Sequence, residues 1–313
     1  MTRILVLYYS QTGQLTRAVQ SMLSPLAGRA DVEIVWQSLE PVEPYPFPWG
    51  FMRFFDTFPE SVHLDSPPIR PVTFGKEAHF DLVVLAYQVW FLSPSLPVIA
   101  FLKSEAAGVL KDTPVITFIA CRNMWLSAHE KMKALLQARG ARHIDNVVLI
   151  DQGPPWATFI TTPRWLLTGK KDGFWGIFPP AGVSEAEIAA AARFGRALAD
   201  ALPLLQSTRG PLLSGLGAVK VIPGYITGEK IVHRSLRLWG MLLRAIGKPG
   251  ELPRRLALVV YIVFLVVMIL TVMPVSIVVR ALLRPLLRKR LDAEVARLEA
   301  PSGSSTERME KYQ

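Results

Sequence analysis

Five consecutive positions, Ser10-Gln11-Thr12-Gly13-Gln14, supply two hydroxyls, a glycine and two amides directly after the apolar run ILVLYY. A helical pattern, QLTRAV, follows at once. A turn of this composition at the start of a helix can hold an anion: the hydroxyls, the loop amides and the first unpaired helix amides all donate to one phosphate. The helix dipole adds positive potential, so the turn needs no Lys or Arg of its own. The glycine-lysine pattern of a P-loop and the G-x-G-x-x-G spacing of dinucleotide folds are both missing. The same string also serves as an ordinary strand-to-helix turn, and both readings stand at this point.

Proton-transfer chemistry is less well marked. His63, His79, His129, Tyr9 and Tyr87 fall near expected loops, strand ends or helix starts, and Tyr87 and His129 are taken as the candidate catalytic residues. For any single histidine a structural role is the commoner one. The one cysteine, Cys121, excludes an internal disulfide framework and a multi-cysteine metal site, so no metal is expected.

The elements that position the turn read as alternating β and α. Strands are expected at 3–9, 32–36, 80–86, 114–120 and 146–151. The third and fourth are nearly continuous apolar runs, as central strands covered on both faces should be. Helices are expected at 14–27, 95–107, 126–139 and 184–202, the last opening on Ser184 as N-cap with acids in its first turn. Two long insertions interrupt the rhythm, 37–79 with eight prolines and an aromatic cluster and 152–183. They are too aromatic for disorder and are read as lids or membrane-facing flaps, with ordinary packing on the sheet as the alternative.

Charge divides the chain. Residues 1–200 balance 18 Lys+Arg against 18 Asp+Glu, and the remaining 17 basic and 7 acidic side chains place the whole net charge of +10 in residues 201–313. Residues 256–279 carry no charge over 24 positions, and about 20 such residues span a bilayer core. A glycine-rich connector, GPLLSGLGAVKVIPGYITG at 210–228, leads to a basic amphipathic helix at 229–248, in which Ile231, Leu236, Trp239, Leu242, Leu243 and Ile246 can share one side. Such a helix beside an apolar run suits an anionic lipid surface. Nucleic acid is not expected, because aromatics are not interleaved with the basic residues. The N-terminus does not read as a signal peptide, so the first 200 residues are expected at the cytoplasmic face of the inner membrane, anchored by 256–279. Positive-inside counting leaves the segment open between spanning and re-entrant, bent near Pro274. The tail, 291–313, reads as polar, and after Ala300 (PSGSSTERMEKYQ) as disordered.

The strings YYSQTGQLTRAV and FDLVVLAYQVWFLSPSLPVIAFL resemble the flavodoxin-like family, in its NAD(P)H-oxidoreductase and flavodoxin branches, over residues 1–202 apart from the insertions. The resemblance implies a doubly wound five-stranded parallel sheet of order 2-1-3-4-5 with FMN at the carboxyl ends of its strands. By position, Ser10, Thr12, Gly13 and Gln14 would hold the phosphate. Tyr87, Gln88, Val89 and Trp90 would line the isoalloxazine, with Trp90 stacking. Cys121, Arg122 and Asn123 would lie beside the ring or the ribityl chain. NAD(P)H is left open as a hydride partner. Within the family, the opening, the length and the apolar tail are similar to a flavoprotein group of dialkylresorcinol biosynthesis. That likeness implies a lipophilic substrate, a 2,5-dialkylcyclohexane-1,3-dione aromatised to a resorcinol.

Two other classes compete. A membrane-tethered electron carrier would have the same fold, but such carriers are strongly acidic and residues 1–200 balance at zero. A non-catalytic scaffold is permitted by Gln88 and Leu15, which depart from the family pattern. The oligomeric state is not legible.

Overall fold

The structure, a computed structural model, describes residues 1–208, 210–271 and 290–313. Its core strands are β1 (Thr2–Tyr8), β2 (Val32–Ser38), β3 (Leu82–Tyr87), β6 (Pro114–Cys121) and β7 (Arg142–Ile150). Between β3 and β6 lies a two-residue hairpin, β4 (Val89–Trp90) with β5 (Ser93–Pro94). All five core strands run parallel in the order β2-β1-β3-β6-β7, which is the expected 2-1-3-4-5 once the hairpin is set aside. Every residue of β3 is buried, as its unbroken apolar run requires.

The helices are α1 (Gln14–Leu23), α2 (Phe51–Asp56), α3 (Phe58–His63), α4 (Leu96–Lys103), α5 (Leu126–Ala138), α6 (Pro155–Thr168), α7 (Glu185–Ala190), α8 (Ala192–Ala201), α9 (Pro223–Ile246) and α10 (Leu252–Leu270). One sheet face is covered by α1, α7 and α8. Leu15, Ala18, Val19 and Met22 of α1, at helical spacing, meet Ile4, Val6, Val84 and Phe118 there. The α1–α8 contact is backbone-close: a Cβ at Gly195 would lie 1.8 Å from the Met22 carbonyl oxygen. The other face packs α4 and α5 on Leu5, Leu7, Val83, Leu85 and Ile119.

Several boundaries differ from expectation for local reasons. Pro25 tightens the end of the first helix into a 3-10 turn, Ser24–Leu26. The expected 184–202 helix breaks at Ala191 into α7 and α8, although Ser184 does cap it by accepting from the Glu187 amide. β7 begins four residues before the expected 146, because His143 is held by a hydrogen bond to Thr117 on β6.

The C-terminal part differs more. The 210–228 connector is no free linker: Leu212, Leu213, Leu216 and Ala218 enter the α1-side core, the Val148 amide donates to the Ala218 carbonyl, and residues from Pro223 on already belong to α9. Nor is the tail disordered over its last residues. Ser302 is buried on Asp145, and Tyr312 is buried with its hydroxyl on Asp200. Residues 290–299 are helical. The helix expected at 229–248 is α9, but its apolar residues do not form one buried side. Leu236 and Leu243 are buried, Trp239 is half-buried, and Ile231, Leu242 and Ile246 face outward. Residues 272–279 of the expected apolar segment, with Pro274, lie outside the described residues.

α9 and α10 pack on the first insertion, with Phe58, Val62, Leu236, Leu243, Leu258 and Tyr261 as a third apolar cluster. A buried ion pair pins the start of α10 there. Arg254 donates from Nε to Asp56 Oδ1 at 2.7 Å, and from Nη1 and Nη2 to the two Glu60 carboxylate oxygens at 2.8 and 2.6 Å.

Candidate functional site: an aromatic cleft at the carboxyl ends of the strands

The strand order reverses between β1 and β3, so the loops after these strands diverge and leave a crevice at their carboxyl ends. A cleft of about 180 Å³ lies there. Its floor comes from the opening turn (Gln11, Thr12, Gln14), the β3–β4 link (Gln88, Val89, Trp90) and the end of β6 (Cys121, Arg122). Seven of the residues expected at the site from sequence therefore share one cavity or its rim.

The turn itself is built as a helix start without a cap. Gly13 sits at φ 75°, a left-handed conformation suited to glycine, and no side chain caps α1. A Cβ at Gly13 would meet nothing within 4 Å, so open space faces the turn. Ser10 Oγ is buried beside it with no hydrogen-bond partner. Two more polar atoms of the cleft residues are buried and unpartnered, Gln88 Oε1 and Thr162 Oγ1. Buried polar atoms cost free energy unless paired, so these two in the cleft lining, with the Ser10 hydroxyl in the adjoining turn, mark a site shaped for a polar ligand.

The two glutamines of the turn have a different role from the one sequence assigns to Gln14. Gln11 donates to the Pro46 carbonyl at 2.7 Å and accepts from Trp49 Nε1 at 2.9 Å, clasping the first insertion. Gln14 Nε2 donates to the Val183 carbonyl and its Oε1 accepts from the Val183 amide, both at 3.1 Å, clasping the second. The Gln14 side chain is thus a structural clamp, and only its backbone amide is left for an anion at the turn. Asp151 completes the second clasp by accepting from the amides of Gly153 and Gly182, each at 2.7 Å.

The insertions then form the walls. Trp90 is boxed by Tyr45, Trp49 and Tyr9 at ring distances of 4.8, 5.6 and 5.7 Å, each nearly perpendicular to it. The hairpin that carries Trp90 turns through Phe91 and Leu92, both left-handed at φ 47° and 60°, a costly conformation for large side chains. Phe91 is held by Phe54 and Phe58 at 5.0 and 5.8 Å. Lys131 supports the hairpin from behind by donating to Ser93 Oγ at 2.7 Å, and burial pulls its ammonium down to about 8. From the second insertion, α6 contributes Thr162, Trp165 and Leu166.

Arg122 is the cleft's cation. Its guanidinium stacks over Phe159 at 4.2 Å and makes a single hydrogen bond, to Asn123 Oδ1 at 3.3 Å. Burial lowers its pKa from the ordinary arginine value without discharging it. Cys121 lines the cleft as a neutral thiol, pushed up by burial.

Three sequence-based assignments do not hold. His129 is 1% exposed and lies between Trp125 and His143, outside the cleft, with burial driving its pKa well below 6.5. Tyr87 is fully buried within β3, and its phenol is raised well above 10 by burial. Neither touches the cleft, so neither is a catalytic candidate. Asn123 faces a separate small cavity with Trp125, Tyr225 and Glu229. Tyr45, Trp49, Phe54 and Trp165 were not singled out from sequence, although each stands in one of the aromatic insertions.

No family model matches the chain, and no curated protein matches it. Solved structures do. A flavoprotein from Lactobacillus acidophilus NCFM, crystallised in complex with FMN, is 17% identical, with 47% of this chain and 93% of that chain covered and a TM-score of 0.38. A flavodoxin from the domain Archaea is 10% identical, with 65% and 99% covered and a TM-score of 0.34. At these scores the architecture rests on the strand order, the parallel register and the crevice at the reversal. The fold is flavodoxin-like.

Proposed function

We propose that the protein is an FMN-dependent oxidoreductase that takes a lipophilic substrate at a membrane surface. The observation that carries this reading is the unpartnered, buried Ser10 hydroxyl at an uncapped helix start that opens into an aromatic cleft. Those features fit FMN. Ser10, Thr12 and the amides at the start of α1 would hold the phosphate, and Trp90 with Gln88 and Val89 would lie along the ring. Bound FMN would supply a two-electron acceptor or donor.

The chain's own groups constrain the substrate. No histidine lines the cleft, and both Asp151 oxygens are engaged by backbone amides. The site therefore offers a fixed cation, Arg122, and no general base of neutral pKa. That suits a substrate that is already an anion. A cyclohexane-1,3-dione is a vinylogous acid, ionised at neutral pH, and Arg122 would pair with its enolate oxygens. A 2,5-dialkylcyclohexane-1,3-dione aromatised to a resorcinol is the finer form of the proposal, and NAD(P)H as a reductant has no residue here that argues for it.

Membrane attachment is proposed from α10. It holds 19 residues, with a mean hydropathy of 2.2 over its most apolar window and only 17% of that window buried. The helix would be about 28 Å long, near the thickness of a hydrocarbon core. The cytoplasmic face of the inner membrane is the proposed location, with basic residues such as Arg234 and Arg255 on anionic headgroups.

The test is the visible absorption of detergent-purified protein, with the released cofactor identified by mass, beside Thr12→Glu. Stoichiometric FMN in the wild type, lost in a folded Thr12→Glu variant through charge repulsion with the phosphate, is the expected result. A colourless wild type that also takes up no added FMN would overturn the proposal.

A further inference from the structure

The second insertion ends in a feature that the cleft does not use. After α6 the chain forms a short finger, residues 173–180, reading GFWGIFPP without a charge. Phe174 and Phe178 pair across it by two backbone hydrogen bonds of 3.1 Å, and their rings stack at 4.5 Å and 12°. Arg164 of α6 braces its base by donating to the Lys170 and Asp172 carbonyls and lying 4.4 Å over the Phe174 ring. The finger is therefore a rigid object. Its tip carries Trp175, 82% exposed, and Ile177, 65% exposed.

Folding does not explain that tip. Trp175 is held at φ 53° and Gly176 at φ 67°, so a bulky aromatic occupies a strained left-handed position, edge-on to Phe174 and Phe178 of the finger itself at 5.3 and 6.2 Å and otherwise open to solvent. Strain at a side chain left this exposed points to a role outside the fold. Trp156 continues the apolar surface, 56% exposed and 5.7 Å from Phe178.

We propose that this finger is a second membrane contact, with Trp175 and Ile177 seated in the interfacial zone of an anionic bilayer. An uncharged tip above a basic collar is the arrangement that a charged headgroup layer over an apolar interior selects. Here the collar is Lys170, with Lys171 and Arg164 beside it paired to Glu185 at 3.3 Å and to Asp172 at 3.5 Å, and tryptophan is the side chain best suited to the boundary. The occupant is lipid because the same chain presents α10, whose outward face (Val259, Val260, Val263, Val267) is uncharged and exposed. The inference rests on the membrane reading above and adds a consequence to it. α6 carries the finger at its end and presents Thr162, Trp165 and Leu166 to the cleft, so the wall of the site is tied to the lipid surface.

The test uses the full chain with Cys121→Ser, carrying a single introduced cysteine at Ile177→Cys or, separately, Trp175→Cys, labelled with an environment-sensitive dye. Val263→Cys on α10 is the reference. Each protein is reconstituted into phosphatidylcholine–phosphatidylglycerol vesicles and challenged with a lipid-borne spin-label quencher and with aqueous iodide. The expected result is a blue-shifted emission at the finger positions, lost to the lipid quencher and protected from iodide. If the Val263→Cys label is quenched by lipid while both finger labels respond to iodide alone, the finger proposal is overturned and the α10 anchor stands. Finger labels that answer to neither quencher would mean a protein contact and would also overturn it. Loss of lipid quenching at all three positions would overturn the membrane reading and the finger together.

Discussion

Replacing Arg254 by Met should undock α10 from the body of the protein. The guanidinium is 1% exposed, and its partners Asp56 and Glu60 are 13% and 18% exposed at their side chains. Removing one member of a buried pair costs about 3–5 kcal/mol, because the charges left behind are not solvated. Asp56 would keep only the Gly250 amide at 2.7 Å and Glu60 only the Arg244 guanidinium at 4.0 Å, and water reaches both in part, so a loss of about 3 kcal/mol is expected. The contrast is Arg17→Met, which breaks a pair with Glu185 whose members are 51% and 64% exposed. Exposed pairs contribute about 0–1 kcal/mol. Denaturant unfolding in a fixed micelle would compare the two, and proteolysis in the link before α10 would report local undocking. The triple variant Arg254→Met, Asp56→Asn, Glu60→Gln removes the stranded charges and should recover most of the loss. A cost below about 1 kcal/mol for Arg254→Met, or one that the triple variant leaves unrelieved, would refute the buried-charge argument.

The clasp of the second insertion offers another test. A Cβ at Gly182 would lie 2.7 Å from Gln14 Oε1 and 2.9 Å from Trp165 Cζ3, at φ 87°, so Gly182→Ala should cost about 1–3 kcal/mol and speed protease cleavage within 152–183. Stability should also fall in acid. His143 is depressed to about 4 and His129 well below 6.5, both by burial, so the unfolded chain takes up protons first and stability is lost as pH falls from about 6.5 toward 4, by about 3 kcal/mol for His143 alone. Asp145, raised to about 6 by burial, works oppositely, with stability lost as pH rises from about 4 to about 6. The two imidazoles outweigh it, so unfolding free energies between pH 4 and 7 should rise with pH, and more steeply in Asp145→Asn.

The sheet was legible because its signal is local. β3 and β6 are apolar on both faces, and the turn after β1 is contiguous in sequence. What the sequence concealed depends on partners far along the chain. Gln14 reads as a helix-start residue, but its amide meets Val183, 169 positions away. The tail reads as disordered by composition, since Ser302 and Tyr312 are anchored only by Asp145 and Asp200 on other elements. His129 reads from sequence as a candidate at a helix start. Its burial follows from α5 turning that face toward His143, which no local pattern reports. The aromatic insertions were visible as irregular segments, but which of their rings would converge on Trp90 was not.

The first insertion explains why the C-terminal helices belong to the site and are not merely appended to it. α2 is six residues long and serves both the cleft and the α9–α10 apolar cluster. Phe54 faces the cleft, 5.8 Å from Trp49 and 5.0 Å from Phe91, while Met52 and Phe55 pack into the cluster formed with α9 and α10. Asp56, at its end, holds Arg254. The strained hairpin bridges the same gap, with Phe91 at the cleft and Leu92 in the α9–α10 cluster. One short helix and one turn therefore separate the aromatic cleft from the apolar surface of α10. Two sites that bias the same packing element are coupled, and equally in both directions. Filling the cleft should thus strengthen α10 docking by the same factor by which docking strengthens ligand binding, and Arg254→Met should weaken FMN uptake although Arg254 touches no cleft residue.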